Sequence, residues 1–96
     1  MEQAGREYSQ RTWNTMKIVR KEIVEGYELK LRQQPQAGKW FITRKSNVIG
    51  FVSSHPDDRF HLELVYSRDG YAIVEDFGGL EELWEKTKLY ISEFNL

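Results

Sequence analysis

The chain has 96 residues, of which 40% are hydrophobic, a composition that can form the core of one small domain. It has no cysteine, which excludes disulfides and thiolate chemistry, and it has no apolar run typical of a signal peptide or a membrane span. The net charge is −1, yet residues 1–46 hold ten Lys or Arg against five Glu, whereas residues 47–96 hold four against ten Asp or Glu. This asymmetry indicates either a surface that faces an anion or two charged faces that attract each other on folding.

The N-terminal half is the ambiguous part of the pattern. Residues 1–12 are polar and predict a flexible leader, followed by a single domain over residues 13–96. Ile23, Tyr27 and Leu31 recur at i, i+4 and i+8, which predicts a helix over residues 20–32. The alternative is a hairpin that turns at Glu25-Gly26, because Tyr27 and Leu31 also alternate with charged residues. Gly26 inside a helix costs about 1 kcal/mol relative to Ala, so the residues alone leave the two alternatives nearly balanced.

The remaining elements have clearer signals. Alternating apolar residues predict strands over residues 39–45, 49–54, 60–66 and 71–74, with turns at residues 55–58 and 68–70. A helical stripe predicts a helix from about Leu80 to Phe94, with Glu81 and Glu82 near its positive end. The predicted fold class is therefore α+β, a central antiparallel β-sheet flanked by two α-helices.

Arg44 is the strongest candidate for a functional residue. It shares a strand face with Trp40 and Ile42, so it is predicted to point inward, where a guanidinium needs an anion or several acceptors. Arg20, Lys45 and Ser46 add cationic and hydroxyl donors, which predicts a site for a dianionic phosphate. The alternative is an internal ion pair, for example between Arg44 and Glu63 on a neighbouring strand.

The two histidines carry weaker signals. His61 lies on the polar face of its strand, where it could line the same pocket or be a purely structural group. His55 stands in a turn with Asp57 and Asp58, a pattern that favours a solvated turn over a metal site. The chain has no nucleophile elbow, phosphate-loop glycine pattern or zinc-ligand spacing, so we expect no enzyme, no cofactor and no metal.

Six segments, taken in order, resemble the Src homology 2 domain, the phosphotyrosine-binding module. The segment Phe41-Ile42-Thr43-Arg44-Lys45-Ser46 is similar to the F-L-V-R-E-S signature of that family. Trp13, Ile18 and Arg20 match its opening W-x4-I-x-R spacing, which favours the first helix over the hairpin. The other matching segments are Phe51–Ser54, His61–Leu64, Gly70–Ile73 and Phe77–Trp84.

The resemblance implies the roles of the site residues. Arg44 would bind the phosphate with both arms, and Arg20 would clamp it. Lys45, Ser46 and Asn47 would form the phosphate loop, and His61 would line the pocket. Leu62 and Tyr71 would contact the residues that flank the phosphotyrosine.

Departures from the family pattern predict weak selectivity for the residues that flank the phosphotyrosine. Glu63 replaces a common lysine, and the connections at residues 46–49 and 73–77 are short, which predicts little selectivity for flanking residues. Because the chain has no cysteine, signal peptide or membrane span, we expect a cytoplasmic protein, and we expect a monomer. The short loops resemble minimal or pathogen-effector versions of the module, which implies delivery into a host cytosol as the alternative. We expect tyrosine-phosphorylated proteins as partners and neither nucleic acid nor membrane. The alternatives are a phosphate-independent interaction module, with Glu63 as internal counterion, and a single-stranded nucleic-acid binder.

Overall fold

A computed structural model describes residues 16–66 and 71–96, without the side chains of Tyr66 and Tyr71. The elements are β1 (Ile18–Val24), β2 (Tyr27–Gln33), β3 (Lys39–Arg44), β4 (Asn47–Ser54), β5 (Phe60–Tyr66), β6 (Tyr71–Phe77) and α1 (Leu80–Phe94). The strands form one antiparallel sheet in chain order, from β1 at one edge to β6 at the other. Helix α1 packs against β1 at one edge and against β5 and β6 at the other, so the sheet curves around the helix.

The core lies between α1 and the inner face of the sheet. Leu83, Trp84 and Ile91 of α1 are fully buried or nearly so, as the helical stripe predicts. The sheet contributes a buried apolar row from alternate positions of successive strands, namely Leu29, Leu31, Ile42, Val52, Leu62 and Leu64. The intervening residues of each strand therefore lie on the opposite side, here called the outer face.

The predicted fold class is wrong, because the described residues form a six-stranded antiparallel sheet with one C-terminal helix, and not a sheet flanked by two helices. In place of the predicted first helix, the chain forms the β1–β2 hairpin. Glu25 and Gly26 form its turn, with φ values of 52° and 84°, and Val24 pairs with Tyr27. Positive φ at both central positions is the two-residue turn that matches the twist of a hairpin, and Gly26 adopts it without a Cβ penalty.

The error has a physical origin in the spacing of the apolar residues. Tyr27 and Leu31, four positions apart, share a face in a helix and also in a strand, because four is an even number. Ile23 distinguishes the two, since a helix would bury it beside Tyr27, and in the hairpin it is 66% exposed on the outer face.

The other predicted elements are confirmed with small shifts. Helix α1 spans Leu80–Phe94 and β5 spans Phe60–Tyr66, as predicted. Strand β4 begins two residues earlier than predicted, and β6 continues to Phe77 rather than ending at Val74. The predicted leader over residues 1–12, Trp13 and the predicted turn at residues 68–70 lie outside the described residues.

Among the described residues, no helix has the length and apolar character needed to cross a membrane.

Candidate functional site

Arg44 points inward, as the strand alternation predicts, and its side chain is only 4% exposed. Its guanidinium donates to the main-chain oxygen of Val24 at 2.6 Å and to that of Leu96 at 2.7 Å. The guanidinium carbon also lies 5.2 Å from the centre of the Tyr27 ring. Arg44 thus holds the end of β1, the end of α1 and its own strand together.

The contact between Arg44 and Leu96 also places a positive charge near the C-terminal end of α1. No basic residue occupies the last turn of α1, and Asn95 ends the helix in the left-handed conformation with φ of 58°. Arg44 supplies a cation from the sheet to this end, where the helix dipole favours positive charge. One donor, Nε of Arg44, is buried and has no hydrogen-bond partner among the residues that the structure describes.

Arg20 lies on the inner face of β1, two strands away from Arg44. It forms a bidentate ion pair with Glu81 of α1, with nitrogen–oxygen distances of 2.5 and 3.2 Å, and lies over the Trp84 ring. The hydrogen bond with Arg20 holds the pKa of the Glu81 carboxyl below its usual value. The structure therefore does not bring Arg20 and Arg44 together around one anion.

The structure does not place the other candidate residues Glu63 and Leu62 beside the Arg44 guanidinium. Glu63 is exposed on the outer face of β5, whereas Arg44 is on the inner face, so these two residues do not pair. Leu62 is fully buried in the core. The side chain of Tyr71 lies outside the described part of the chain, although its main chain pairs with Tyr66.

His61 lies near the opposite end of the sheet from Arg44. It pairs with Ser53, which pairs with Lys39, and Lys39 begins the strand that Arg44 ends. Its Nδ1 is 2.7 Å from a carboxylate oxygen of Asp76. His61 therefore belongs to a separate group of side chains.

Lys45 and Ser46 do lie together, in the tight turn between β3 and β4. Their φ values are 54° and 63°, and Arg44 pairs with Asn47, so the two central residues extend beyond the ladder. Asn47 donates from its side-chain amide to the main-chain oxygen of Lys45 at 3.0 Å, which braces the turn. The turn is exposed, so its hydroxyl and ammonium groups can reach a ligand.

A cavity of about 280 Å³ opens beside this turn and is here called the β2–β3 pocket. Its lining residues come from two neighbouring hairpins and are Gly26, Tyr27, Glu28, Lys30, Arg32, Thr43, Arg44, Lys45 and Ser46. Four of them are cationic and one is anionic, which makes the pocket strongly basic.

The charges around the β2–β3 pocket differ in their availability. Lys30 pairs with Glu28 at 3.2 Å, and this contact holds the pKa of Glu28 below its usual range. Arg32 is 4% exposed, donates to the Met16 main-chain oxygen at 3.2 Å, and has its pKa lowered by burial. The ammonium of Lys45 is exposed and lies 4.6 Å from the centre of the Tyr27 ring.

Sequence reasoning missed Lys30, Arg32 and Thr43 as neighbours of Lys45 and Ser46. The signal lay in the hairpin alternative, where Lys30 and Arg32 alternate with Leu29 and Leu31 and so share the outer face. Cross-strand pairing then places Lys30 opposite Thr43. A helix over residues 20–32 would not place Lys30 and Arg32 on one face beside Thr43, so the helix prediction did not reveal the pocket.

Comparisons with protein-family models, with curated proteins and with solved structures find no match to this chain.

Proposed function

We propose that this domain is a non-catalytic module that binds a phosphate-bearing ligand, a phosphotyrosine side chain in particular, in the β2–β3 pocket. The observation that carries the proposal is the charge of the pocket lining, which holds four cationic residues and one acidic residue, with the guanidinium of Arg44 turned to the inner face. A phosphate monoester carries about −1.5 to −2 charges near neutral pH and three strong acceptor oxygens. Such a group complements the pocket in charge and in hydrogen-bonding capacity.

The proposal assigns the phosphate to residues around the β3–β4 turn. Lys45 and Ser46 supply an ammonium and a hydroxyl at the mouth of the pocket, and the buried Thr43 lies beneath them, with its hydroxyl accepting from Arg32 Nε at 3.4 Å. Charge-assisted hydrogen bonds of this kind contribute about 1.5–3 kcal/mol each. Arg32, which is 4% exposed, adds a positive charge to the lining of the pocket.

The size of the cavity supports one phosphorylated side chain as the ligand. Its volume of about 280 Å³ is slightly below the roughly 300–1,000 Å³ of typical small-molecule sites. The pocket is defined on one side by the exposed ring of Tyr27, which can contact an aromatic ring attached to the phosphate. Low selectivity for flanking residues remains part of the proposal.

The roles differ from those that the family resemblance implies. Arg44 and Arg20 already have partners within the fold, at Val24 and Leu96 and at Glu81. The proposed phosphate ligands are instead Lys45 and Ser46, supported by the side chains of β2. Arg44 acts as a structural arginine behind the pocket.

An NMR titration with free phosphotyrosine tests the proposal. We expect the amide signals of Lys45 and Ser46 to shift, and phosphoserine and inorganic phosphate to act at the same residues with lower affinity. Unphosphorylated tyrosine should have no effect. Phosphotyrosine shifts that spare the turn, or equal shifts with unphosphorylated tyrosine, would contradict the proposal.

Two variants of the turn keep its left-handed backbone. Ser46→Gly removes the hydroxyl, and Lys45→Asn removes the charge. Both replacements keep the turn, because Gly and Asn tolerate positive φ. Each is expected to weaken phosphotyrosine binding, Lys45→Asn by about tenfold, the equivalent of roughly 1.4 kcal/mol. Lys39→Gln, at the other end of β3, is the matched control and should bind as the wild type. Equal losses in Lys45→Asn and Lys39→Gln would indicate non-specific charge attraction instead.

A single-stranded oligonucleotide provides the last arm of the test. Binding of an oligonucleotide with steep salt dependence and no competition from phosphotyrosine would replace the proposal with nucleic-acid binding.

A further inference from the structure

The two histidines of the chain lie close together in the fold, although one is in a turn and the other is on a strand. His55 stands in the turn after β4, while His61 on β5 pairs directly with Asp76 on β6. The candidate ligand atoms of these three residues all lie within 4.8 Å of one another. The two imidazole rings are 5.7 Å apart between centroids. This group is here called the His55–His61–Asp76 cluster.

We propose that the His55–His61–Asp76 cluster binds a divalent transition metal ion, with Zn²⁺ as the representative. Two imidazole nitrogens and one carboxylate oxygen suit Zn²⁺, Ni²⁺ or Cu²⁺, whereas Mg²⁺ and Ca²⁺ prefer oxygen ligands alone. Three protein ligands leave a fourth position of a tetrahedral ion open to water or to a ligand.

The geometry requires small movements of exposed groups. Zn²⁺ bonds of about 2.0–2.2 Å place neighbouring donors in a tetrahedral site roughly 3.3 Å apart. The distance of 2.7 Å between His61 Nδ1 and the Asp76 oxygen must therefore lengthen by about half an ångström, and His55 must move closer. The side chains of His61 and Asp76 are 32% and 39% exposed, so rotation of either meets little packing.

The backbone around the cluster provides a fixed frame. His55 donates its main-chain N–H to Arg59 at 2.8 Å and accepts from Asp58 at 3.2 Å, which ties the turn. His61 and Asp76 are held opposite each other by the ladder between β5 and β6.

Two charged residues lie next to the cluster, and one of them, Arg59, acts on Asp76 directly. Arg59 places a guanidinium nitrogen 4.0 Å from the second oxygen of Asp76, and this cation opposes a bound metal ion. Asp57 lines a cavity of about 370 Å³ beside the cluster, together with His55, Arg59 and Asp76. The proposal thus predicts opposite effects for removing Arg59 and for removing a ligand.

The test is a titration of the untagged chain with ZnCl₂, followed by calorimetry and by the imidazole signals in NMR. We expect one equivalent to bind, both histidine signals to shift together, and EDTA to reverse the change. His55→Ala and Asp76→Asn should each weaken binding at least tenfold. Arg59→Gln should strengthen it severalfold, and Asp57→Asn is the matched control, with less than a threefold change. Urea unfolding of each variant without metal confirms that it is folded.

Several results would overturn the proposal. One is the absence of imidazole shifts at millimolar Zn²⁺. Another is equal affinity in His55→Ala and the wild type, which would leave only a structural His61–Asp76 ion pair. Equal shifts with MgCl₂ would show charge attraction without the donor preference that the cluster predicts. None of these outcomes depends on phosphate binding at the β2–β3 pocket, which lies beside the β3–β4 turn, away from the end of β5 that carries His61.

Discussion

Replacement of Arg44 by methionine separates its structural role from a role in ligand binding. Methionine has a similar length and no charge, so Arg44→Met leaves the main-chain oxygens of Val24 and Leu96 without their donor. Each hydrogen bond from a charged donor is worth about 1.5–3 kcal/mol. The Leu96 contact is only partly buried, so water can replace some of it, and methionine also removes the desolvation cost of a buried guanidinium.

These opposing effects give a net loss of about 2–4 kcal/mol in the free energy of unfolding. For a domain of this size, such a loss lowers the thermal midpoint by about 10–25 °C. Arg44→Lys should lose roughly half as much, because an ammonium can still donate to one of the two oxygens.

Urea unfolding followed by tryptophan fluorescence measures both losses, since Trp84 is fully buried beneath the sheet. Arg59→Met, at a half-exposed arginine with one weak ion pair, is the control and should change stability by less than about 0.5 kcal/mol. A wild-type urea midpoint for Arg44→Met would refute the structural role of Arg44. Full stability of Arg44→Lys together with loss of phosphotyrosine binding would refute it equally, because Arg44 would then act on the ligand.

Three further predictions concern the fold. Gly26→Ala should cost about 1–2 kcal/mol in urea unfolding, because φ is +84° there, whereas Gly78→Ala, equally open to a Cβ, should cost less. Gly50→Ala should lose about 1–3 kcal/mol, since its Cβ would lie 2.7 Å from a leucine methyl and 3.1 Å from a main-chain oxygen of β5; wild-type stability would contradict this packing. The Lys88 hydrogen bond lowers the pKa of Glu22, so this contribution to stability is present above the carboxyl's unfolded pKa and is lost as the pH falls through its lowered folded value. In Glu22→Gln, the free energy of unfolding should therefore fall less steeply as the pH is lowered through the acid range. An unchanged pH dependence would exclude that contribution.

The sequence carries enough information for most of the sheet and for the helix. Alternation over residues 39–44 and 60–66 has a period of two, and only a strand buries one set and exposes the other. The stripe over Leu80–Phe94 has the helical period and no even alternation, so its type and bounds are unambiguous. Such local patterns reflect burial of one face and need no knowledge of what covers it.

The β1–β2 hairpin shows where local pattern fails. A spacing of four satisfies both periods, so Tyr27 and Leu31 lie on the same face in either structure. Only the turn chemistry at Glu25-Gly26 favours the hairpin, and the family resemblance outweighed it. The helix prediction therefore did not identify Lys30 and Arg32 as residues of the candidate site.

The sequence by itself determined that Arg44 points into the core and that a buried guanidinium needs acceptors. Tertiary structure alone decided what those acceptors are, because Val24 and Leu96 lie 20 and 52 residues from Arg44 along the chain. The same holds for His55, His61 and Asp76, whose candidate ligand atoms the β4–β5 turn and the pairing of β5 with β6 bring within 4.8 Å of one another. Burial is a property of the local pattern, but the partner of a buried charge depends on which distant segments the fold places beside it.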